Sequence, residues 1–266
     1  MNIFKRFAIA TAYVTILPIA PASFYKVAGK EDQDFDIVLS GLSKYLPAVG
    51  LLIGFILALL ATACLILRIN SLISAVLLTV TWLWLTGALH MDGLMDTADG
   101  VFSHRNRERM LEIMQDSRVG NFGALTGFCT VLLKVAALHS LKGVALPIIL
   151  LLAPVWGRWA EFFAIGRFQY AKPEGKGKIW HDSTKYPFDL IPATIAPLAV
   201  TGILTYLGFE FAGLYAVVAL LTGMFVSYYL NFRLGGHTGD TYGAVVELTE
   251  TISMVVCVFI SSLLTQ

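Results

Sequence analysis

Acidic residues and arginines are concentrated between residues 90 and 123, in a chain that is otherwise largely apolar. If residues 90–99 form a helix, Asp92, Asp96 and Asp99 lie at i, i+4 and i+7 and share one face. Like charges this close repel each other unless a divalent cation lies between them, and carboxylate oxygens suit Mg²⁺ or Mn²⁺. The spacing therefore predicts a metal site. The alternative is a solvated helix start, where aspartate is common.

Arginines follow these aspartates closely in the sequence. A guanidinium group binds phosphate oxygens through two parallel hydrogen bonds, and metal-holding carboxylates beside such groups are typical of phosphoryl-transfer sites. We expect Arg105, Arg109 and Arg118 to contact phosphate. The segment therefore predicts a site that handles a metal ion and an anionic, phosphate-bearing substrate.

A second segment, residues 231–250, combines four glycines within nine residues with Asp240, Glu247 and Glu250. Glycine lets a backbone approach a ligand closely or adopt a positive φ, although glycine-rich turns also occur in ordinary loops. A helix that opens near Gly243 could bind an anion at its start, and its carboxylates could complete a metal site. Asp240 and Glu247 are the additional metal ligands predicted here.

The loop at residues 167–189 is basic and contains Lys176 and Lys178 beside glycines. Two roles fit these lysines: contact with substrate phosphate, or contact with anionic lipid headgroups. Substrate phosphate is the role assigned to them here.

Four charged or titratable residues lie within or beside apolar segments. Arg158 and Glu161, at i and i+3 of a helix, are expected to pair with each other. Lys134 lies within an apolar segment and requires a partner or a cavity, which the sequence does not identify. His90, at the membrane end of the acidic helix, is a candidate base or hydrogen-bonding group.

Composition predicts an integral membrane protein with an all-α fold. The 266 residues are 57% hydrophobic and 14% charged, and the mean hydropathy is +0.73, which is too apolar for a soluble domain of this size. The net charge of +1 does not favour nucleic acid as a partner. About seven transmembrane helices are expected in one catalytic domain, residues 1–266, at 46–67, 69–89, 122–141, 144–166, 190–209, 211–230 and 249–265.

The N-terminal apolar run is interrupted by Pro18 and Pro21, which predicts a retained, broken or re-entrant segment. Cys64, Cys129 and Cys257 lie apart in apolar segments, so neither a disulfide framework nor a zinc site is expected. Long polar connections, at about 22–44, 92–121, 167–189 and 231–248, alternate with short ones along the chain, which places all four long ones on one side. They hold most of the lysines and arginines, and the positive-inside rule makes that side cytoplasmic.

Four blocks together resemble the cobalamin synthase family, also called adenosylcobinamide-GDP ribazoletransferase or cobalamin-5′-phosphate synthase. The resemblance covers essentially the whole chain. The blocks are HMDGLMDTADG at 90–100, RERMLEIMQDSRVGNFG at 107–123, GRWAEFF with RFQYAKPEGKG at 157–177, and LGGHTGDTYGAVVELTE at 234–250.

This resemblance implies a plasma (inner) membrane enzyme of late vitamin B12 assembly, with its active site facing the cytoplasm. It would join adenosylcobinamide-GDP to α-ribazole or α-ribazole 5′-phosphate and release GMP, with Mg²⁺ required. The general base stays open between His90, Asp116 and Glu247. A homo-oligomer or an association with other cobalamin-assembly enzymes is also left open.

Two other functions fit parts of the pattern. A CDP-alcohol phosphotransferase also uses clustered aspartates. Its hallmark is Asp-Gly, then any two residues, then Ala-Arg. In this chain Asp92-Gly93 is followed by two residues and then by Asp96-Thr97, which does not fit that hallmark. A divalent-cation transporter would place acidic residues near the bilayer midplane. The aspartates here lie at the end of a span before a long polar loop, which favours chemistry at the membrane surface.

Overall fold

A computed structural model describes residues 2–27 and 33–264, and within them the predicted all-α membrane fold is confirmed. Thirteen α-helices and one 3₁₀ turn, Ser43–Tyr45, follow one another along the described chain. The helices are α1 Ile3–Val14, α2 Ala22–Val27, α3 Gln33–Leu39, α4 Leu46–Ile66, α5 Ser71–Leu85, α6 Leu89–Phe102, α7 Arg107–Ile113, α8 Asn121–Ser140, α9 Ala145–Arg167, α10 Lys176–Ser183, α11 Leu190–Tyr206, α12 Phe211–Leu234 and α13 Gly239–Leu264.

Helix α9 is the centre of the bundle. About 94% of its most apolar stretch is buried inside the protein, and α4, α11, α12 and α13 pack around it. Its contact with α4 is close, because a Cβ atom added at Gly50 or Gly54 would overlap the backbone of α9. Small residues let membrane helices approach in this way, so that the backbones of α4 and α9 pack directly against each other.

Within residues 2–27 and 33–264, five helices are long and apolar enough to cross a membrane, or six if the bent pair α5 and α6 counts as one span. Together with the apolar helix α11, which falls just short of the length criterion, the total is close to the expected number of about seven spans. Two of the predicted spans correspond to helices below the length used for this count: α5 has 15 residues, and α11 has 17. A helix of about 20 residues, within a range of about 17–25, crosses the hydrocarbon core, so α11 lies at the lower limit and α5 below it.

A sharp bend separates α5 from α6 and directs the acidic helix away from the apolar one. The two helix axes meet at 88°. Gly87 and Ala88 both have φ of +56°, in the left-handed region, which stops one helix and lets the next start in a new direction. The bend therefore places the aspartates on a separate helix.

The N-terminal segment is broken, as predicted. Helix α1 ends at Val14 and α2 begins only at Ala22, with the two prolines in the non-helical stretch between them. The Ile16 amide donates a hydrogen bond of 2.9 Å to the Leu85 carbonyl, so this stretch packs beside the bend that precedes α6.

The long polar connections meet one another, as the alternation of loop lengths predicts. The Gly41 amide donates to Ser183 Oγ at 2.9 Å, and Lys44 Nζ lies 2.9 Å from Asp189 Oδ1, which joins the first connection to the third. The Ala171 amide donates to the His237 carbonyl at 2.8 Å, which joins the third to the fourth.

Candidate functional site

Two glycines bring the acidic helix α6 against the start of α13. A Cβ atom at Gly93 would lie 2.6 Å from the Asp240 carbonyl oxygen, and one at Gly243 would lie 2.9 Å from the His90 carbonyl oxygen. Both positions require hydrogen in place of a side chain. The glycines of the two sequence blocks therefore serve close helix packing, which sets acidic side chains of both helices beside each other.

We call the four aspartates at this junction, Asp92, Asp96, Asp99 and Asp240, the acidic cluster. Helix α6 contains the first three, as predicted, and Asp240 lies in the first turn of α13. Asp96 lies in the electrostatic field of the other three. Mutual repulsion of this kind is relieved by a cation, and the nearest described candidate is Lys172, whose Nζ is 3.8 Å from Asp240 Oδ2.

Asp99 has a structural task within the acidic cluster. Its two carboxylate oxygens accept hydrogen bonds from the amides of Gly120 and Gly123, each at 2.8 Å. These amides lie at the N-terminus of α8, where backbone donors lack partners within the helix. Asp99 thus fixes the start of α8, while the carboxylate oxygens of Asp92, Asp96 and Asp240 accept fewer hydrogen bonds from the described residues.

The donor chemistry of the acidic cluster fits a hard divalent cation, since carboxylate oxygens are what Mg²⁺ prefers. Among the described residues, no three acidic, histidine or cysteine side chains converge closely enough to hold a metal by themselves. Mg²⁺ does not need such a set, because it keeps several waters and is bound by one or two carboxylates together with substrate phosphates. Asp92, Asp96 and Asp240 are the residues that fit this role.

The predicted phosphate-binding arginines lie on the exposed connection between α6 and α8. Arg109 Nη1 is 2.7 Å from Glu112 Oε2, and Arg118 donates from Nε and Nη2 to both oxygens of Asp116. Arg105 is exposed as well. These guanidinium groups therefore lie in solvent, on the connection that ends at the amides bound by Asp99, and they can exchange their present partners for a phosphate.

Asp116 is poorly suited to the role of a base. The hydrogen bonds from Arg118 lower the pKa of its carboxyl to about 2, so it holds a proton only in strong acid. Its position in the exposed loop also places it on the solvent side of the site.

The contacts of the lysines in the third connection differ from those predicted. Lys178 pairs with Asp182 one turn along α10, at 2.5 Å, while the side chain of Lys176 lies outside the described part of the structure. Lys172, which the sequence prediction did not assign, is the lysine that approaches the acidic cluster. Its proximity to Asp240 depends on the pairing of residues 169–171 with His237, which no sequence spacing indicates.

His237 in the glycine-rich turn is a structural residue. Its ring is fully buried, with Nδ1 3.0 Å from Thr241 Oγ1 and Nε2 3.1 Å from the Ser227 carbonyl oxygen. Burial lowers the pKa of the imidazole to about 4, so the ring is neutral and bridges α12 to α13. Gly235, with φ of +72°, ends α12 just before it.

A second group of charges lies deeper in the bundle, and we call it the buried ion cluster: Lys134, Arg158, Glu247 and Glu250. Lys134 Nζ lies 2.7 Å from Glu247 Oε2 and 2.9 Å from Glu250 Oε2, and 4.3 Å from the centre of the Trp82 ring. These are the partners that Lys134 requires inside a membrane helix. Glu247 is two helical turns from Asp240, so its predicted role as a metal ligand or base is not supported by its position.

The expected pairing of Arg158 with Glu161 is wrong. Arg158 forms its ion pair with Glu250, and its Nη2 lies 3.5 Å from His90 Nδ1. Glu161 instead faces His90, with 3.8 Å between Oε2 and Nε2. The i, i+3 spacing permits a pair within a helix, but the packing of α13 against α9 brings a fully buried carboxylate to Arg158 first.

A cavity of about 180 Å³ opens beside the acidic cluster. Asp92 and Asp240 lie at it, together with His90 and Glu161. Helices α1, α6, α9, α10 and α13 contribute residues, among them Tyr13 and Trp180. Sequence reasoning missed the aromatic residues because they lie outside the charged motifs, although Trp180 stands in the glycine- and lysine-rich loop already noted.

Comparison with known proteins matches this chain over nearly its full length. A family model described as "Cobalamin-5-phosphate synthase" matches residues 6–258. An adenosylcobinamide-GDP ribazoletransferase of Thermosynechococcus vestitus is 40% identical over 248 residues, which cover 92% of this chain and 93% of the relative. No solved structure matches the chain.

Two further relatives carry the same name. The protein of Roseiflexus sp. is 41% identical over 245 residues, covering 92% of this chain and 86% of the relative. That of Acetivibrio thermocellus is 36% identical over 258 residues, covering 96% and 98%. Similarity thus extends over the apolar helices as well as the charged connections.

Proposed function

The chain belongs to the cobalamin-5-phosphate synthase family, and we propose that it joins adenosylcobinamide-GDP to α-ribazole or α-ribazole 5′-phosphate with release of GMP. It is a transferase of cobalamin synthesis with several helices apolar enough to span a membrane. The observation that carries the proposal is the acidic cluster beside a cavity and an exposed arginine-rich connection. Carboxylates and guanidinium groups in this arrangement suit transfer of a phosphoryl group.

The reaction exchanges one phosphorus–oxygen bond for another. A hydroxyl oxygen of the ribazole attacks the cobinamide-side phosphorus, the bond from that phosphorus to the bridging oxygen breaks, and GMP leaves with that oxygen. The hydroxyl proton passes to a base. Of the three candidate bases, His90 lines the cavity, whereas Asp116 is paired with Arg118 and Glu247 with Lys134.

Mg²⁺, held by Asp92, Asp96 and Asp240, would neutralise charge on the diphosphate and on the departing GMP. Arg105, Arg109 and Arg118 would bind outer phosphate oxygens, and Lys172 would hold the Asp240 carboxylate in place. Asp99 would keep the start of α8, and the connection that carries the arginines, in a fixed position. Each of these roles stabilises negative charge that increases as the bond breaks.

The membrane setting fits the same proposal. The long polar connections that meet around the site carry most of the lysines and arginines, so we place them on the cytoplasmic side of the plasma membrane. A soluble nucleoside could then reach the site from the cytoplasm.

The test is release of GMP by the detergent-purified protein, supplied with adenosylcobinamide-GDP, α-ribazole 5′-phosphate and Mg²⁺, and again after EDTA. We expect GMP and a matching corrinoid product in equal amounts, lost with EDTA and restored by added Mg²⁺. Parallel reactions with α-ribazole identify the preferred acceptor. Absence of product from folded protein supplied with metal would refute the proposed reaction. Product formation that EDTA leaves unchanged would refute only the proposed requirement for Mg²⁺.

A further inference from the structure

The cavity beside the acidic cluster contains four buried polar atoms without hydrogen-bond partners among the described residues. They are His90 Nε2, Glu161 Oε2, Trp180 Nε1 and Tyr242 Oη. Their residues are only 2, 4, 4 and 3% exposed, respectively. All four residues line the same cavity.

Such atoms are rare in folded proteins, because a buried polar group without a partner has lost its hydrogen bonds to water and gained none in return. Two of them, His90 Nε2 and Glu161 Oε2, face each other at 3.8 Å, which is beyond hydrogen-bond distance. Four such atoms around one cavity indicate a ligand that supplies their partners. The other buried polar atoms without a described partner do not line this cavity, so what distinguishes these four is that they face one common space.

The types of the four atoms define the chemistry of that ligand. Glu161 as a carboxylate accepts hydrogen bonds, Trp180 Nε1 donates one, and His90 and Tyr242 can do either. The ligand must therefore donate and accept within a short distance, which hydroxyl groups do. Aromatic and aliphatic side chains such as Tyr13 and Leu89 complete the wall and suit an apolar ring face.

The charge of the cavity limits which part of a substrate can enter. Asp92, Asp240 and Glu161 all line it, so an unaccompanied phosphate would meet three carboxylates. A neutral polyhydroxylated group meets no such repulsion. The volume of about 180 Å³ is also below the 300–1,000 Å³ of sites for drug-sized ligands, so only a portion of a large substrate would fit.

We propose that this cavity binds the sugar of the nucleoside acceptor, with Glu161, Trp180 and Tyr242 as residues that determine acceptor specificity. The inference rests on the proposed function and adds where the acceptor binds. Sugar hydroxyls bond to Glu161 and His90, and a reacting hydroxyl points to Asp92 and Asp240 at the cavity wall. Any phosphate on the acceptor stays outside, with the arginines.

The first experiment measures binding of α-ribazole to the purified full-length protein by calorimetry, without donor and without Mg²⁺. Glu161→Gln keeps the shape of the side chain and removes its charge, so we expect α-ribazole to bind at least about tenfold more weakly. Glu210→Gln is the matched control, because Glu210 is exposed at the short connection between α11 and α12. It should bind as the wild type does.

Tyr242→Phe removes a single oxygen atom and gives a second test if Glu161→Gln fails to fold. We expect several-fold weaker binding of α-ribazole and a correspondingly higher KM for it, with an unchanged KM for adenosylcobinamide-GDP. Tyr206→Phe is the matched control, since Tyr206 is 90% exposed. Unchanged α-ribazole affinity in both Glu161→Gln and Tyr242→Phe would overturn the inference.

Competition with guanosine identifies the occupant. Two results together would overturn the inference: guanosine at equal concentration displaces α-ribazole, and Tyr242→Phe weakens the binding of both nucleosides. That combined result would assign the cavity to the donor. The two proposals also fail separately. GMP release with a KM for α-ribazole that the variants do not change refutes only the cavity, whereas variant-sensitive binding without GMP release refutes only the reaction.

Discussion

The acidic cluster and the buried ion cluster use the same residue types for opposite purposes. In the buried ion cluster, two glutamates share Lys134 and Arg158 within 3 Å or less. In the acidic cluster, four aspartates have only Lys172 nearby among the described side chains, at 3.8 Å from one of them. We infer from the difference that carboxylates with cations of their own stabilise the fold, and we propose that Asp92, Asp96 and Asp240, which lack close cations, serve a metal ion and substrate.

The comparison is tested most strongly at the acidic cluster. Asp92→Asn or Asp96→Asn should lower kcat by at least about 10²-fold, because a metal ligand is lost where charge develops in the transition state. The thermal midpoint should stay the same or rise, since one of four repelling charges is removed. Mn²⁺ affinity, measured by calorimetry, should fall in parallel.

Asp36→Asn is the matched control for these variants, because Asp36 is exposed on α3, away from the acidic cluster. It should keep wild-type turnover and Mn²⁺ affinity. Wild-type turnover in Asp92→Asn and Asp96→Asn would remove the metal assignment and with it the contrast between the two clusters.

The buried ion cluster should respond through stability. Lys134→Met leaves Glu247 and Glu250 buried with one cation fewer, and breaking a buried pair in this way costs about 3–5 kcal/mol. We expect a large fall in thermal midpoint and in the yield of monodisperse protein. The matched control is Lys142→Met at the exposed turn after α8, which should have little effect.

The double variant Lys134→Met, Glu247→Gln sharpens this test. Because it removes a cation together with one of its carboxylates, it should recover part of the stability that Lys134→Met loses. Mn²⁺ affinity in Glu247→Gln alone should equal that of the wild type. A loss of Mn²⁺ binding in Glu247→Gln would instead assign this glutamate to the metal site.

Asp99 belongs to the acidic cluster but also holds the start of α8. Asp99→Asn replaces one acceptor with a donor that faces a backbone amide, so one of two hydrogen bonds is lost, at about 1–3 kcal/mol. We expect a lower thermal midpoint in metal-free protein, unlike Asp92→Asn. Equal midpoints for the two variants would contradict the structural role.

The smallest effects are expected at the exposed arginines. Arg109→Gln or Arg118→Gln should raise the KM for adenosylcobinamide-GDP by about two- to tenfold, because exposed charges are screened by water and salt. Their thermal midpoints should not change. The difference from wild type should shrink as the salt concentration rises, and a difference that is independent of salt would argue against phosphate contact.

Local patterns in the sequence predicted the elements well. The i, i+4, i+7 aspartates do lie on one helix, and the prolines do interrupt the N-terminal segment. Hydropathy did not reveal the 88° bend between α5 and α6, which depends on two residues with positive φ. Lys134 was identified as needing a partner, but its glutamates lie more than 110 residues away in the chain.

The sequence by itself determined the fold class and the family, because these depend on composition and on short motifs, and it predicted a segment that handles phosphate and a metal ion. The tertiary structure decided which carboxylates face each other and which face cations. In it Arg158 pairs with Glu250 and not with Glu161, Glu247 pairs with Lys134, and Asp240 lies beside α6. The physical reason is that ion pairs and cavities form between helices that are distant in sequence, where packing decides which side chains meet.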